Sequence, residues 1–345
     1  MGIFKKIFNS ILILYGVVIL IFILFQAFGD PASLIVGQSG DKKTIENIKR
    51  ELHLDQPKWK QLLYYINEIS PISFYDNASF IPDRYNGIFI GNKLKIGLKL
   101  PYLGKSYQLK KSVTSILKEA IPGTLVLTLC ALTFAGFLGI GLGIIAAIYK
   151  NTWVDKITFF STVIGISAPS FFIGLIIAYF FGIVLHQYTG LNFSGSLYEI
   201  DDSTGRAYLQ LKNLILPAMA LGIRPLAIIT QITRSSMLEV MSQPFITTAI
   251  SKGTKKYKII LFHALPNTLN PIVTTISSWL AELLAGSFFI EYIFGWKGLG
   301  KVTISALDKL DYPVVMGAVL YCACFFILIN FLTDFLLQKI DPRIR

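Results

Sequence analysis

The amino-acid sequence predicts an all-α polytopic membrane protein with about six transmembrane helices and a small extracytoplasmic α/β cap between helices 1 and 2. Three observations carry that prediction. Only 15% of the 345 residues are charged and 53% are hydrophobic, whereas a soluble domain carries about 25% charged residues. The apolar residues cluster, and several runs approach or exceed the roughly 20 residues that cross a hydrocarbon core of about 30 Å. The Lys and Arg residues behind the net charge of +12 lie between those runs. There they orient a membrane protein and meet anionic headgroups, so the basic balance points to membrane lipid rather than to nucleic acid.

In chain order the spans read as Ser10–Phe28, Pro122–Tyr149, Ile157–Leu185, Leu214–Ile229, Pro271–Ile290 and Pro313–Leu337. The fourth is the weakest, because Arg224 stands beside Pro225 within it. The first follows Lys5 and Lys6, as a signal peptide would. Its apolar stretch exceeds a usual signal h-region and no A-x-A site follows, so it reads as a retained anchor with the N-terminus inside. Lys150 and Lys156 flank a short inside loop, Lys252, Lys255, Lys256 and Lys258 mark another, and Lys339, Arg343 and Arg345 close the chain on that side. The Asp201–Asp202 loop falls outside, and both termini are expected in the cytoplasm. The organisation expected is an anchor helix over 1–28, an extracytoplasmic segment over 29–120, a membrane domain over 121–337 with a cytoplasmic loop at 242–267, and a cytoplasmic tail over 338–345.

The long outside segment has its own patterning. Lys42–Leu54 places charged and apolar residues at helical spacing, and Gln56-Pro57 ends that pattern. Trp59–Ile69 reads as a second amphipathic helix, and Phe74–Tyr102, rich in Gly, Pro and aromatics, as turns and short strands.

Catalytic and metal-binding motifs are not found. There is no H-E-x-x-H and no G-x-S-x-G, and His53, His186 and His263 are far apart. Cys130, Cys322 and Cys324 lie in apolar spans without ligand or disulfide spacing and read as packing residues. Gly295–Val302 nearly spells a P-loop, but Val302 stands where Ser or Thr would hold Mg²⁺, and the segment follows a membrane helix rather than a strand. Its glycines read instead as a tight turn at the outer surface. No cofactor is expected on this chain, so any ATP and Mg²⁺ must be bound by another subunit.

Within the second span, Ala135, Gly139, Gly143 and Ala147 recur every four residues on one helix face. Small residues let helix backbones approach closely in lipid. Internal packing and a moving helix interface both fit that pattern. Three ionisable residues fall inside spans, where they are costly and draw functional attention. Asp334 and Arg224 lie near span ends and are expected to reach water, and Glu282, closer to mid-span, is the candidate for lining a translocation path.

The most telling stretch follows the fourth span. Ser242 can cap a helix, Pro244 is tolerated in its first turn, and Gly253 supplies a C-terminal stop. Between them Phe245, Ile246, Ala249 and Ile250 form an apolar stripe, with Thr247 and Thr248 alongside. A two-turn helix is too short to be stable alone. Its stripe needs a partner's groove, unless it folds back on the chain's own helix ends or lies among headgroups.

Thr247–Gly253, followed by Phe262-His263-Ala264-Leu265-Pro266-Asn267, resembles the EAA loop of ABC importer permeases. Ala249 and Gly253 match that pattern, and Thr247 replaces its acidic first residue. Gly29–Ala32, Leu52–Pro57, Pro122–Leu125, Arg234–Val240, Glu291–Gly300, Asp311–Pro313 and Asp341–Arg345 are similar to the first permease type of the oligopeptide/dipeptide/nickel family. The likeness covers nearly the whole chain, lapses at about Ser70–Lys110, and departs at Glu282, where a small residue is expected.

That resemblance implies a type I ABC importer permease fold over 121–337 in a bacterial cytoplasmic (inner) membrane, with di- or oligopeptides as cargo. It implies a second homologous permease subunit, two ABC ATPase subunits that bind ATP and Mg²⁺, and an extracytoplasmic substrate-binding protein. It assigns Phe245, Ile246, Thr247, Thr248, Ala249, Ile250 and Gly253 to ATPase coupling. A nickel or metallophore permease is the alternative cargo, and an ion-coupled secondary transporter the alternative mechanism.

Overall fold

The computed structural model describes residues 3–27, 46, 49, 54–76, 85–92, 94–201 and 203–340. These fall into two compact units, Met1–Glu119 with Val302–Cys324 and Ala120–Lys301 with Phe325–Arg345. The expected helix over Lys42–Leu54 lies almost wholly outside the described residues.

In the first unit, helix α1 (Ile3–Ala27) is the apolar anchor, and helix α2 (Lys58–Ile69) follows Pro57, whose carbonyl accepts the Lys60 and Gln61 amides. The buried Gln61 amide donates back to the carbonyls of Leu54 and Gln56, tying the turn to the helix it precedes. Phe22 of α1 stacks on Tyr65 of α2 with ring centroids 6.3 Å apart. Strands β1 (Ile72–Asp76), β2 (Gly87–Ile90) and β3 (Leu94–Lys99) form an antiparallel sheet in the order β1-β3-β2. Its register pairs Phe74 and Ile90 with Ile96. The predicted α/β cap is therefore present.

The core of the cap is built on a buried lysine. Lys99 Nζ donates to the Glu68 carbonyl at 2.6 Å and lies 4.6 Å from the Tyr85 ring centroid and 5.4 Å from that of Tyr75. Tyr85 donates to the Glu68 carboxylate at 2.7 Å, and burial beside that charge pushes its phenol well up. The loop that leaves the cap is anchored by Asp311, which accepts from the Ser106 hydroxyl and the Tyr107 and Gln108 amides.

The membrane helices are α3 (Val113–Ile148), the pair α4 (Trp153–Ser167) and α5 (Ser170–Tyr179, continued by a π-helical turn Phe180–Val184), α7 (Lys212–Met241), α10 (Leu265–Gly286) and α13 (Tyr312–Ile340). Short α6 (His186–Thr189) and a hairpin of β4 (Tyr198–Ile200) and β5 (Ala207–Leu209) lie between α5 and α7. With α1, these make the predicted set of apolar segments.

Three details differ from the sequence reading, and proline explains two. The third span is not one helix, because its halves meet at 109°. Ala168 precedes Pro169 and is extended, with ψ 136°, since the proline ring excludes the helical region for its predecessor. Elsewhere prolines do not limit spans. Pro122, Pro217, Pro225 and Pro271 all lie inside helices, as lipid permits when neighbouring groups re-satisfy the freed backbone. Thus α7 runs 30 residues, past the expected span limit at Ile229. The third detail is the cap of the next helix: Ser242 does not provide it, because its hydroxyl donates back to Glu239 and Gln243 holds the cap position.

Helix α7 is the axis of the second unit. Leu216, Ala218, Ala220 and Leu221 join Leu127 and Ala131 of α3, Ile177 of α5 and Trp279 and Leu283 of α10 in one buried cluster. Close approach rests on glycines: a Cβ at Gly222 would lie 2.8 Å from the Ala131 carbonyl oxygen.

Candidate functional site

Helix α8 (Pro244–Ser251) follows α7 directly. Pro244 occupies its first turn, where no amide hydrogen bond is lost. Its end is a Schellman turn: the Gly253 amide donates to Ile250 at 2.9 Å and the Thr254 amide to Ala249 at 3.2 Å. Gly253 sits at φ +73°, which a side chain would disfavour.

The apolar stripe of α8 is divided. Ile246 is 1% exposed and packs with Ala147 of α3, Met237 of α7, and Ile259, Ile260 and Ala264, with Ala249 half-buried against the same cluster. Phe245 and Ile250 are 44% and 57% exposed. Thr247 and Thr248 are exposed as well. After α8 come the short α9 (Lys256–Lys258) and a π-helical turn Ile259–Ala264 leading into α10. Tyr257, Leu261 and Phe262 there are exposed, as are Lys252, Lys255, Lys256 and Lys258. The arrangement is a short helix rooted on one side, with an apolar outer surface in a basic surround.

The small-residue face of α3 lies against α7. Ala135 packs with Ile229 and Ile272, Gly139 against Ile229 and the Leu226 carbonyl, and Gly143 against Thr230 and Thr233. Ala147 continues the face into the cluster beneath α8. One turn away, Arg234 of α7 grips Asp155 of α4 with two bonds, Nε to Oδ1 at 2.5 Å and Nη2 to Oδ2 at 2.7 Å. Asp155 also accepts the Asn151 amide at 2.9 Å, so one buried carboxylate ties the 150–152 turn to α7. This pairing was not foreseen; its signal was an acid just ahead of the third apolar run.

At the opposite end of α7 and α10, helices α11 (Phe288–Ile293) and α12 (Leu299–Asp308) flank the glycine-rich near-P-loop. Its amides hold a carboxylate of the chain itself. Glu291 is fully buried and accepts from the Thr124 hydroxyl at 2.7 Å, the Ser287 hydroxyl at 2.8 Å, the Gly300 amide at 2.7 Å and the Lys301 amide at 3.3 Å. A Cβ at Gly298 would overlap that carboxylate and one at Gly300 would lie 2.3 Å from Phe288 Cα, so the glycines are needed for close approach. Glu291 lies beyond the Lys256–Leu284 span, and burial pushes its carboxyl up against the opposing pull of those four donors.

Two intramembrane charges exchange their expected places. Arg224, expected near a span end, lies near the middle of the 30-residue α7, its guanidinium 5.9 Å from the Trp279 ring centroid. Glu282, expected nearer mid-span, lies in the last turn of α10. The cause lies in the bounds: α7 runs on to Met241, past the expected limit at Ile229, and α10 begins at Leu265 and ends at Gly286, ahead of the expected Pro271 and Ile290. Asp334 lies six residues before the end of α13, as expected. No group of three or more His, Cys, Asp or Glu side chains that could hold a metal occurs among the described residues.

The family model described as binding-protein-dependent transport system inner membrane component matches residues 139–345, and its N-terminal companion matches 2–82. The probable D,D-dipeptide transport system permease protein DdpB of Escherichia coli is 31% identical over 99% of this chain and 96% of its own length. The dipeptide transport system permease protein DppB of Alkalihalophilus pseudofirmus is 30% identical over 99% and 98%. The di/tripeptide transport system permease protein DppB of Pseudomonas aeruginosa is 32% identical over 96% and 94%. A solved inward-facing structure of the MetNI methionine ABC transporter is similar in fold, with TM-score 0.51 and 16% identity, covering 66% of this chain and 97% of that one.

Proposed function

The chain belongs to the binding-protein-dependent transport system inner membrane components, and from that premise we propose that it forms half of the translocation path of an ATP-driven peptide importer. As a member of that family it is a transport permease and not an enzyme. The other half-path would come from a second, related permease. Two ATPase subunits would bind ATP and Mg²⁺ and dock on α8, and an extracytoplasmic protein would deliver the cargo. The peptide reading is supported by relatives named for D,D-dipeptide, dipeptide, di/tripeptide and glutathione transport, which favour it over nickel.

The observation that carries the reading is the divided surface of α8. Ile246 roots the helix in the chain's own core, so a pull on the helix is a pull on α3, α7 and the turn that leads into α10. Phe245 and Ile250 remain exposed among lysines, which suits a partner groove with an apolar floor and an acidic rim. Thr247 offers no acidic anchor, so docking through it does not depend on that charge. ATP-driven closure of the ATPases would then rock these helices, provided the ATPases interact differently with the two permease states. In this reading α8 faces the cytoplasm with both termini, 121–337 is the permease domain with coupling loop 242–267, and the membrane is a bacterial inner membrane.

The test uses Phe245→Asp and Ile250→Asp in the complete transporter. Loss of a central apolar contact costs about 2 kcal/mol or more, so ATPase co-purification and ATP-driven uptake should fall at least about tenfold while the permease keeps its normal membrane level. Undiminished coupled uptake in both variants would sink the reading. Uptake that persists in ATP-depleted vesicles under an ion gradient would favour a secondary transporter instead.

A further inference from the structure

Helix α10 carries a polar stripe on an exposed face. Asn267, Asn270, Thr274, Ser278 and Glu282 follow one another at intervals of three or four residues and are all exposed, which sets them on one face of the helix. The flank beside it, with Thr268, Ile272, Trp279 and Leu283, is buried. Of the four long spans, the one ending in α10 is both the least apolar and the least buried. An exposed polar face on such a span meets water or another polar surface, since an intramembrane ionisable group facing hydrocarbon is expensive.

Two opposite charges stand at the far end of that stripe. Glu282 is exposed and makes no ion pair or hydrogen bond among the described residues. Arg224 is exposed too, and its one interaction there is the cation–π contact with Trp279. Trp279 and Glu282 are three residues apart, hence neighbours about one turn along α10. Arg224, leaning on Trp279 from α7, therefore reaches α10 within one turn of Glu282, and the two charges are not paired with each other among the described residues. The indole holds one flat side of the guanidinium and leaves its N–H edge free to meet a carboxylate.

Resting on the peptide reading, we propose that Arg224 and Glu282 form a charge-reading station in the path, where Arg224 meets the α-carboxylate of a passing peptide and Glu282 its α-ammonium. A zwitterionic cargo supplies both missing counter-charges at once and releases them when it leaves. A cargo with a blocked terminus leaves one of the two charges without a partner.

The experiment reconstitutes the whole transporter, with its ATPases and binding protein, into liposomes. ATP-driven uptake is measured for trialanine, N-acetyl-trialanine and trialanine amide, with liganded binding protein in saturating excess so that the rate reports the membrane step. Wild type should prefer trialanine to the N-acetyl peptide, and Glu282→Gln should reduce that ratio about tenfold, as expected when a charged partner is lost. Arg224→Gln should act in the same way on the ratio to the amide. Glu282→Asp, which keeps the charge, should keep the preference, and binding-protein affinities for the three peptides should be the same with every variant. Unchanged ratios would overturn the station, and so would separation of either variant from the second permease, which would assign the charges to subunit pairing. If wild type carries none of the three peptides while still coupling ATP hydrolysis to its liganded binding protein, the peptide reading itself fails.

Discussion

Glu291 accepts hydrogen bonds from α3, from Ser287 at the junction of α10 and α11, and from the first turn of α12, so its removal is felt on three segments at once. Glu291→Ala leaves two hydroxyls and two amides without their acceptor, and each buried orphan costs about 1–3 kcal/mol. Glu291→Gln keeps one acceptor and can turn its NH₂ toward the hydroxyls, so it should be milder. Gly298→Ala should act like Glu291→Ala, because its Cβ would occupy the space of the carboxylate. Thermal unfolding of the complex in detergent, together with proteolysis after Lys297, should rank the variants in that order, and equal midpoints would remove Glu291 as the anchor of this loop. The glycine spacing was legible in the sequence as a tight turn. Its ligand was not, because the Thr124 partner lies 167 residues away along the chain.

Among the elements, the α3–α7 contact rests on residues without bulk. A Cβ at Gly143 would stand 2.5 Å from Thr233 Cβ and 2.7 Å from the Thr230 carbonyl oxygen. Gly143→Val must push the two helices apart, at a cost of about 1–3 kcal/mol for overpacking. The same change at Gly141, which has open space, should be near neutral. Membrane level and unfolding temperature of the two variants provide the comparison, and equal loss at both positions would show that helix propensity rather than contact decides. The four-residue period of Ala135, Gly139, Gly143 and Ala147 was readable in the sequence, since periodicity is local. The partner helix was not. For α8 the length, the Pro244 start and the Gly253 stop were equally readable, but which half of its stripe the chain itself would cover was not, because that depends on Met237, Ile259 and Ile260 converging beneath it.

For the whole molecule, the proposed orientation makes a topological prediction. In a chain whose Cys130, Cys322 and Cys324 have been replaced, Ser203→Cys in the β4–β5 hairpin should react with a membrane-impermeant maleimide in intact cells. Lys255→Cys, beside α8, should react only after permeabilisation. The reverse pattern would turn the protein over and separate α8 from any cytoplasmic ATPase. The sequence by itself determined the membrane class, the order of apolar segments, the α/β cap and the short helix with its glycine stop. These follow from composition, charge placement and spacing within a few turns of chain. Only the tertiary structure decided that Arg224 lies near the middle of α7 beside Trp279, that Ile246 roots α8 while Phe245 and Ile250 stay open, and that the loop nearly spelling a P-loop encloses Glu291. Each of these depends on contacts between residues distant in sequence, or on neighbouring helices that let a proline sit inside a helix rather than end it.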